Sequence, residues 1–357
     1  MATTPHGNEN LLRADDDLLT WEGAIELEHT PQWTRAWRIQ HSRRELYAST
    51  ELELRAAMPA GVRVAFGTDT TTIRGRAVVG DVEGYASAGE ISPVDVVVDG
   101  GLVASSPVTS DGRFDVDLPA GEKTLELWLP QFGDFRLASL ELDTDARVWR
   151  AERAARPRLI TYGSSITQCR AAASPTRTWP ALVARELGLD LTCLGYGGQC
   201  HLDPMVARMI RDRPADVIIT CLGINVYGSG TFNRRSFLPA VIGLLSTIRD
   251  GHPNVPILVI TPIISPAREH TVSATGMTLA QIREEVARAA QVLREHGDDD
   301  VHLLNGLDVV GAEQAHVLDD GLHPNAEGYA GMAAAIAPVM RKLLGEDGRF
   351  GTDRLLG

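Results

Sequence analysis

The run Leu159-Ile160-Thr161-Tyr162, followed at once by Gly163-Ser164-Ser165-Ile166-Thr167, sets the architecture of the second half of this chain. Apolar and β-forming side chains make a short strand, and the glycine and serines after it break the run. The same alternation then repeats. Trp179 to Leu187 has helical spacing, with Pro180 in the first turn, where its missing N–H has no intrahelical partner to lose. Leu189 to Leu194 predicts a strand and Asp203 to Arg213 a helix; Val217 to Leu222 is an apolar run suited to a strand buried on both faces. A helix over Phe237 to Ile248 and a strand over Ile257 to Ile260 come next. Leu279 to His296 is an amphipathic helix with Thr278 as cap and Gly297 as stop. A strand over Val301 to Leu304 and a helix over Glu327 to Leu344 close the series. Strands alternating with helices in this way predict an α/β domain whose five-stranded parallel sheet carries helices on both faces.

The first half has a different period. Val62 to Phe66, Val94 to Val98, Phe114 to Leu118, Leu125 to Leu129 and Leu137 to Leu142 are short apolar stretches. Phe114-Asp115-Val116-Asp117-Leu118 alternates strictly, as a half-buried strand does, and Asp99-Gly100-Gly101, Asp111-Gly112 and Ala120-Gly121 supply turns. Many short strands without long helical periodicity predict an antiparallel β-sandwich. The basic stretch Arg150 to Arg158 reads as the connector, giving domains at 1–150 and 151–357.

A formal net charge of −13 argues against a nucleic-acid partner and an anionic membrane surface. Met1 to Asp17 is polar and then acidic, without the basic start and apolar core of a secretory signal, and no stretch reaches the apolar length of a membrane helix. Cys169, Cys193, Cys200 and Cys221 form no C-x-x-C pair, so reduced thiols and a cytoplasmic setting are expected.

In a parallel α/β sheet ligands bind at the carboxyl ends of the strands. The segments there are Gly163-Ser164-Ser165-Ile166-Thr167, Gly195-Tyr196-Gly197-Gly198-Gln199 and Gly223-Ile224-Asn225-Val226-Tyr227, joined by Asp320-Gly321-Leu322-His323-Pro324 before the last helix. Each supplies something acyl transfer requires. A serine hydroxyl needs a positioned base, here Ser165 with His323, and Asp320 is placed to hold the other ring nitrogen. The Asn225 amide and the backbone N–H groups of Gly198 and Ser165 can meet an oxyanion.

These four blocks, in this order, resemble the SGNH subgroup of the GDSL hydrolases over about Arg158 to the C-terminus. The resemblance implies a flavodoxin-like domain of strand order 2-1-3-4-5, with Ser165 as nucleophile, Gly198 and Asn225 as oxyanion donors, His323 as base and Asp320 as its acid partner. The family's Gly-Asp-Ser-Leu reads Gly163-Ser164-Ser165-Ile166 here; Cys193 stands where an asparagine often opens the second block, and Val226 where an aspartate follows the third block's asparagine. The runs Gly195 to Asp203 and Leu222 to Tyr227, with the β-rich first half, look like two-domain actinobacterial GDSL-type esterases, a group that includes acyltransferases of tetracycline-type polyketides. That likeness implies an aromatic acyl group such as salicylyl passed to a polyketide hydroxyl.

The implied partners are a small-molecule acyl donor, an ester or acyl-coenzyme A, and a hydroxyl acceptor or water, with no metal or bound cofactor. The long segment from Ser265 to Met277 can shape the acyl pocket or be an inert loop, and Tyr196, Tyr227 and the Tyr227 to Phe232 stretch are further candidates for the pocket wall. The rival readings are deacetylation of sugars or other small metabolites, with the β-domain binding carbohydrate or framing substrate, and a non-catalytic ligand-binding protein. Plainer alternatives attach to single residues. Ser165 can be a helix-capping serine, His323 a loop histidine and Asn225 a turn residue. His201, Asp203, His252 and His270 lack zinc-site spacing, Cys169 and Cys200 read as packed thiols, and Arg234-Arg235 as a solvated helix start. The glycines of the second block lack the G-x-x-x-x-G-K-[ST] pattern of a phosphate loop.

Overall fold

The computed structural model describes residues 10–80, 90–152 and 155–345. The first nine residues of the polar N-terminal stretch, residues 153–154 of the connector and the last twelve of the predicted second domain lie outside the described residues. The chain divides into two compact units. The first comprises 1–44, 49–155 and 174–176, the second 45–48, 156–173 and 177–357.

In the first unit the strands are β1 (Asn10–Arg13), β2 (Thr20–Glu22), β3 (Glu26–His29), β4 (Thr34–Trp37), β5 (Arg63–Thr68), β6 (Thr72–Gly80), β7 (Val94–Val98), β8 (Gly101–Ser106), β9 (Arg113–Asp117), β10 (Lys123–Trp128), β11 (Asp134–Leu142) and β12 (Val148–Trp149). They form two antiparallel sheets, one of order β3-β4-β11-β6-β9 with β1 on β11, the other β12-β5-β10-β7-β8 with β2 on β5. Inward side chains of both sheets, among them Phe66, Val96 and Leu127 from one and Ile73, Phe114 and Leu137 from the other, share one buried cluster. That is the predicted sandwich. Two features depart from the sequence reading. Helix α1 (Thr50–Ala56) interrupts the strands, capped by the Ser49 side chain, which accepts from the Leu52 N–H. Strand β6 has little apolar contrast because Gly75 and Ala77 face inward; Gly75 lies opposite Phe114, whose ring fills the space a side chain would take.

In the second unit β13 (Arg158–Gly163), β14 (Asp190–Gly195), β15 (Val217–Cys221), β16 (Ile257–Ile260) and β17 (Val301–Leu304) are parallel, in the order β14-β13-β15-β16-β17. Between them run α2 (Ser165–Gln168), α3 (Trp179–Glu186), α4 (Pro204–Asp212), α5 (Ile224–Ser229), α6 (Phe237–Gly251), α7 (Leu279–Glu295), α8 (Gly306–Val309) and α9 (Ala326–Leu344). Helix α3 packs with α9, whereas α6 packs with α4 and α7. Right-handed crossovers leaving β13 towards β14 and β14 towards β15 put these two groups on opposite faces. Helix α7 opens with a capping box, Thr278 accepting from the Gln281 N–H and Gln281 from the Thr278 N–H. The reversal of strand order falls beside β13, so the segments after β13 and β15 flank the sheet's switch point.

Candidate active site

Helix α2 begins at that switch point and lies close against the sheet. A Cβ on Gly163 would sit 2.1 Å from Thr167 Oγ1, and one on Gly195 2.3 Å from the Gln168 nitrogen. The two glycines are register partners at the ends of β13 and β14. They form the flat floor on which α2 rests. Ser164, fully buried, caps this helix: its Oγ accepts the Ile166 N–H at 3.2 Å. The capping role considered for Ser165 therefore falls to its neighbour, at the position of the family's aspartate. Ser165 is the first helical residue, half-buried, with its backbone N–H at a helix start where no intrahelical acceptor exists.

Ser165 Oγ lies 2.8 Å from His323 Nε2, and His323 Nδ1 lies 2.6 Å from Asp320 Oδ2. Asp320 Oδ1 accepts the backbone N–H groups of Leu322 at 3.0 Å and His323 at 2.7 Å. Partial burial pushes the Asp320 carboxyl up, but the hydrogen bonds from His323 and the loop outweigh it and draw it down to about 2. An ionised carboxylate only accepts, so Nδ1 carries a proton and Nε2 of the neutral ring presents its lone pair to Ser165. The loop is closed at its base by a bridge between Leu318 and Pro324, and Asn325 behind it caps α9.

Asn225, in the first turn of α5, has its Oδ1 occupied: it accepts the Cys200 N–H at 3.0 Å. This fixes the amide, leaving Nδ2 as a donor on the opposite side. Gly198 has φ +73, with open space where a side chain would begin. Its neighbour Gly197 donates its N–H to Gln168 Oε1 at 2.8 Å. A hydroxyl beside an imidazole lone pair, with amide donors on adjoining segments, can form and stabilise a tetrahedral acyl adduct.

The two tyrosines differ from the expectation and from each other. Tyr196 has no exposed surface; its ring packs edge-on to Tyr162 at 6.3 Å, in the core beneath the site. It cannot touch a substrate, and the substrate-binding reading is corrected to a packing one. Tyr227 is half-buried and donates its hydroxyl to the Thr271 carbonyl at 3.1 Å, tying α5 to the segment after β16. That segment also reaches the His323 loop, since Ser265 Oγ donates to the Gly321 carbonyl at 2.7 Å. Its base is held by Arg283, which grips both Glu269 oxygens at 2.8 Å.

Sequence reasoning does not single out Gln168, weighs His201 only for zinc and takes Ser265 only as the start of a long segment; all three bond backbone groups, which carries no residue-type signature. His201 Nε2 lies 2.9 Å from the Gly198 carbonyl oxygen, and His252 is committed to the Ile210 carbonyl. Among the described residues no group of three metal-ligating side chains gathers. The cysteines are free and buried, and burial pushes the thiols of Cys169, Cys200 and Cys221 up, the last to about 12. Such thiols are poor nucleophiles. Arg234 and Arg235 are exposed just before α6. No helix of the described residues is long and apolar enough to cross a membrane.

A five-stranded sheet of this order, with a serine after its first strand and a histidine before its last helix, defines a class. Residues 161–330 match the model of the GDSL-like lipase/acylhydrolase family, and residues 19–138 that of the SsfX3 N-terminal domain. The chain belongs to the GDSL-like lipase/acylhydrolase family and is an enzyme of the SGNH type, of the acyltransferase/esterase class. Among solved structures it is similar to the salicylyl-acyltransferase SsfX3 from a tetracycline biosynthetic pathway, at 34% identity over 97% of this chain and 100% of the other, with a TM-score of 0.87. A GDSL-like lipase from Bacteroides ovatus is 21% identical (94% of this chain, 98% of the other, TM-score 0.79). A family two carbohydrate esterase from Cellvibrio japonicus is 15% identical (94% and 98%, TM-score 0.64). These two likenesses bear on the fold alone. No curated protein matches the chain in sequence.

Proposed function

We propose that the protein transfers an acyl group through a Ser165 acyl-enzyme to a hydroxyl acceptor. The observation that carries this is the continuous line from Ser165 through His323 to Asp320, at 2.8 and 2.6 Å. Ser165 Oγ attacks the donor carbonyl and its proton passes to His323 Nε2. The carbonyl oxygen becomes an oxyanion facing the N–H groups of Ser165 and Gly198 and the Asn225 amide. Collapse of the adduct expels an alcohol or thiol that takes the proton back from His323. The acceptor hydroxyl then gives its proton to the same nitrogen as it attacks the acyl-enzyme, and Ser165 is regenerated. Asp320 stabilises the imidazolium formed in each half. The carboxyl of Asp320 is held well below the ordinary carboxylate range, so it carries its charge at neutral pH.

The similarity to a salicylyl-acyltransferase over the whole chain favours an aromatic acyl group and a polyketide hydroxyl, within antibiotic biosynthesis. Four free, buried cysteines agree with a cytoplasmic setting. The test is turnover of acetyl, longer acyl and benzoyl-type aryl esters by wild type and Ser165→Ala, each with and without hydroxyl acceptors, with products identified by mass. Serine-dependent formation of acylated acceptor supports the reading. Free acid alone, with every acceptor and the aryl donors, replaces transfer by hydrolysis. Undiminished turnover by Ser165→Ala removes the acyl-enzyme.

A further inference from the structure

We propose that His201 and Gln168 are positioning residues that clamp the Gly198 peptide from its two sides and so aim its N–H at the developing oxyanion. The inference rests on the acyl-transfer reading above and adds residues that reading does not contain.

The donor N–H belongs to the peptide joining Gly197 to Gly198. Two successive glycines leave that peptide plane freer to rotate than any other pair would. A donor whose orientation drifts loses most of its value, because catalysis depends on dipoles fixed before charge develops. The structure fixes both neighbouring peptides. On one side the Gly197 N–H is held by Gln168 Oε1 at 2.8 Å, from a helix that begins at the nucleophile itself. On the other the Gly198 carbonyl lies 2.9 Å from His201 Nε2. A carbonyl oxygen only accepts, so Nε2 must carry the ring proton. Nδ1 lies 3.1 Å from the Thr231 hydroxyl, a contact that anchors the imidazole to the segment after α5. The turn that carries the peptide joining Gly197 to Gly198 is closed by the Gln199 N–H, which donates to the Tyr196 carbonyl at 2.9 Å, with Gly198 at φ +73. No acceptor among the described residues engages the Gly198 N–H, which is left to a ligand.

Both ring nitrogens of His201 are engaged in this arrangement. Its Nε2 proton is spent on a carbonyl, and its Nδ1 faces a hydroxyl.

The experiment uses the full chain and a 4-nitrophenyl ester that the wild type turns over. His201→Ala, His201→Gln, Thr231→Val and Gln168→Met are compared for kcat and KM, and ester binding is measured by calorimetry in a Ser165→Ala background. His201→Ala is expected to lower kcat about 10- to 100-fold, with KM and binding within about twofold. His201→Gln, whose amide N–H reaches a similar point, restores most of the rate. Thr231→Val and Gln168→Met move kcat in the same direction and keep the inference testable should His201→Ala fail to fold. Unchanged kcat in His201→Ala and Gln168→Met, while Ser165→Ala is inactive and Asn225→Ala is slow, overturns the clamp and leaves the function standing. Loss of kcat together with loss of ester binding, not rescued by glutamine, assigns His201 to pocket structure and also overturns it. Turnover by Ser165→Ala removes the acyl-enzyme and the clamp with it.

Discussion

Replacing Asp320 by asparagine keeps size and shape and reverses the polarity of one atom, and the hydrogen bonds around it set the cost. Oδ1 accepts two backbone N–H groups, from Leu322 and His323, while Oδ2 faces Nδ1 of His323. In the variant the amide oxygen stays where two donors need it, and the NH2 group turns to Nδ1. Two donors cannot face each other, so the imidazole adopts the opposite tautomer and Nε2 can no longer accept the Ser165 proton. Flipping the amide restores the tautomer but breaks two backbone hydrogen bonds, each worth about 0.5–1.5 kcal/mol net, so the productive form lies roughly 1–3 kcal/mol higher. Loss of the carboxylate beside the imidazolium adds about 1–2 kcal/mol, at the low end because 57% of the Asp320 side chain is in water. Together, roughly 2–5 kcal/mol lowers kcat by between about 30-fold and a few thousand-fold. The assay is ester turnover by Asp320→Asn and Asp320→Ala, with thermal melting to confirm a folded enzyme. The asparagine is expected to be at least as slow as the alanine, which leaves the tautomer free. A loss under about threefold, or an asparagine variant clearly faster than the alanine, would refute the tautomer argument.

Three further outcomes follow from single contacts. Asn225→Ala removes the amide proposed as an oxyanion donor and should lower kcat by about 10²–10³-fold; Asn225→Asp, which keeps the Cys200 contact but replaces that amide by a carboxylate oxygen, should be slower still. If aspartate equals asparagine in kcat, Asn225 does not face the reacting oxygen. Gly195→Ala drives a Cβ to within 2.3 Å of the Gln168 backbone and should cost roughly 1–3 kcal/mol of stability together with a loss of kcat, read by urea midpoint and turnover; wild-type values in both would show that α2 does not need this floor. Glu269→Gln breaks a pair whose side chains are 10–11% exposed and should destabilise by about 3–5 kcal/mol at neutral pH. Burial pushes the Glu269 carboxyl up, but Arg283 draws it below its ordinary value. Its stabilisation is therefore present above the ordinary glutamate range and lost as pH falls through the lowered value. The variant and wild type should converge in urea midpoint on acidification, and a gap that persists in strong acid would count against the pair.

Most of the architecture was legible because it rests on periodicity. The Phe114 to Leu118 alternation, the Thr278 cap and the buried run at Val217 correspond to elements within a residue or two. Strand β6 was not legible, since its inward positions carry glycine and alanine to make room for Phe114 from the neighbouring strand. The one-turn helices α2 and α5 look like loops because they are flanked by Gly163 and Gly223, residues demanded by close packing and by a φ of +111. Of the candidate site, Ser165, His323 and Asp320 stand out by residue type, and the structure brings these three together. Tyr196 was misread because an aromatic among glycines looks like a pocket wall, whereas its ring packs into the core and only its backbone lies in the loop.

The groups of the proposed site share one property that residue type alone does not convey: each has one atom tied by an orienting hydrogen bond and another that the proposal leaves for chemistry. Asn225 gives Oδ1 to the Cys200 N–H and keeps Nδ2. Asp320 gives Oδ1 to its own loop and Oδ2 to His323, which in turn gives Nδ1 and keeps Nε2 for Ser165. The peptides on either side of the Gly198 N–H are bonded to Gln168 and His201. In such an arrangement the orienting bond and the working atom cannot be separated by a substitution that preserves shape. Swaps of oxygen for nitrogen leave the packing intact and turn the working atom from donor to acceptor or the reverse. They therefore cost rate without costing fold, whereas Gly163 and Gly195, which carry no polar side-chain atom, cost both. The site is thus held less by the strength of any single contact than by each contact having only one chemically permitted direction.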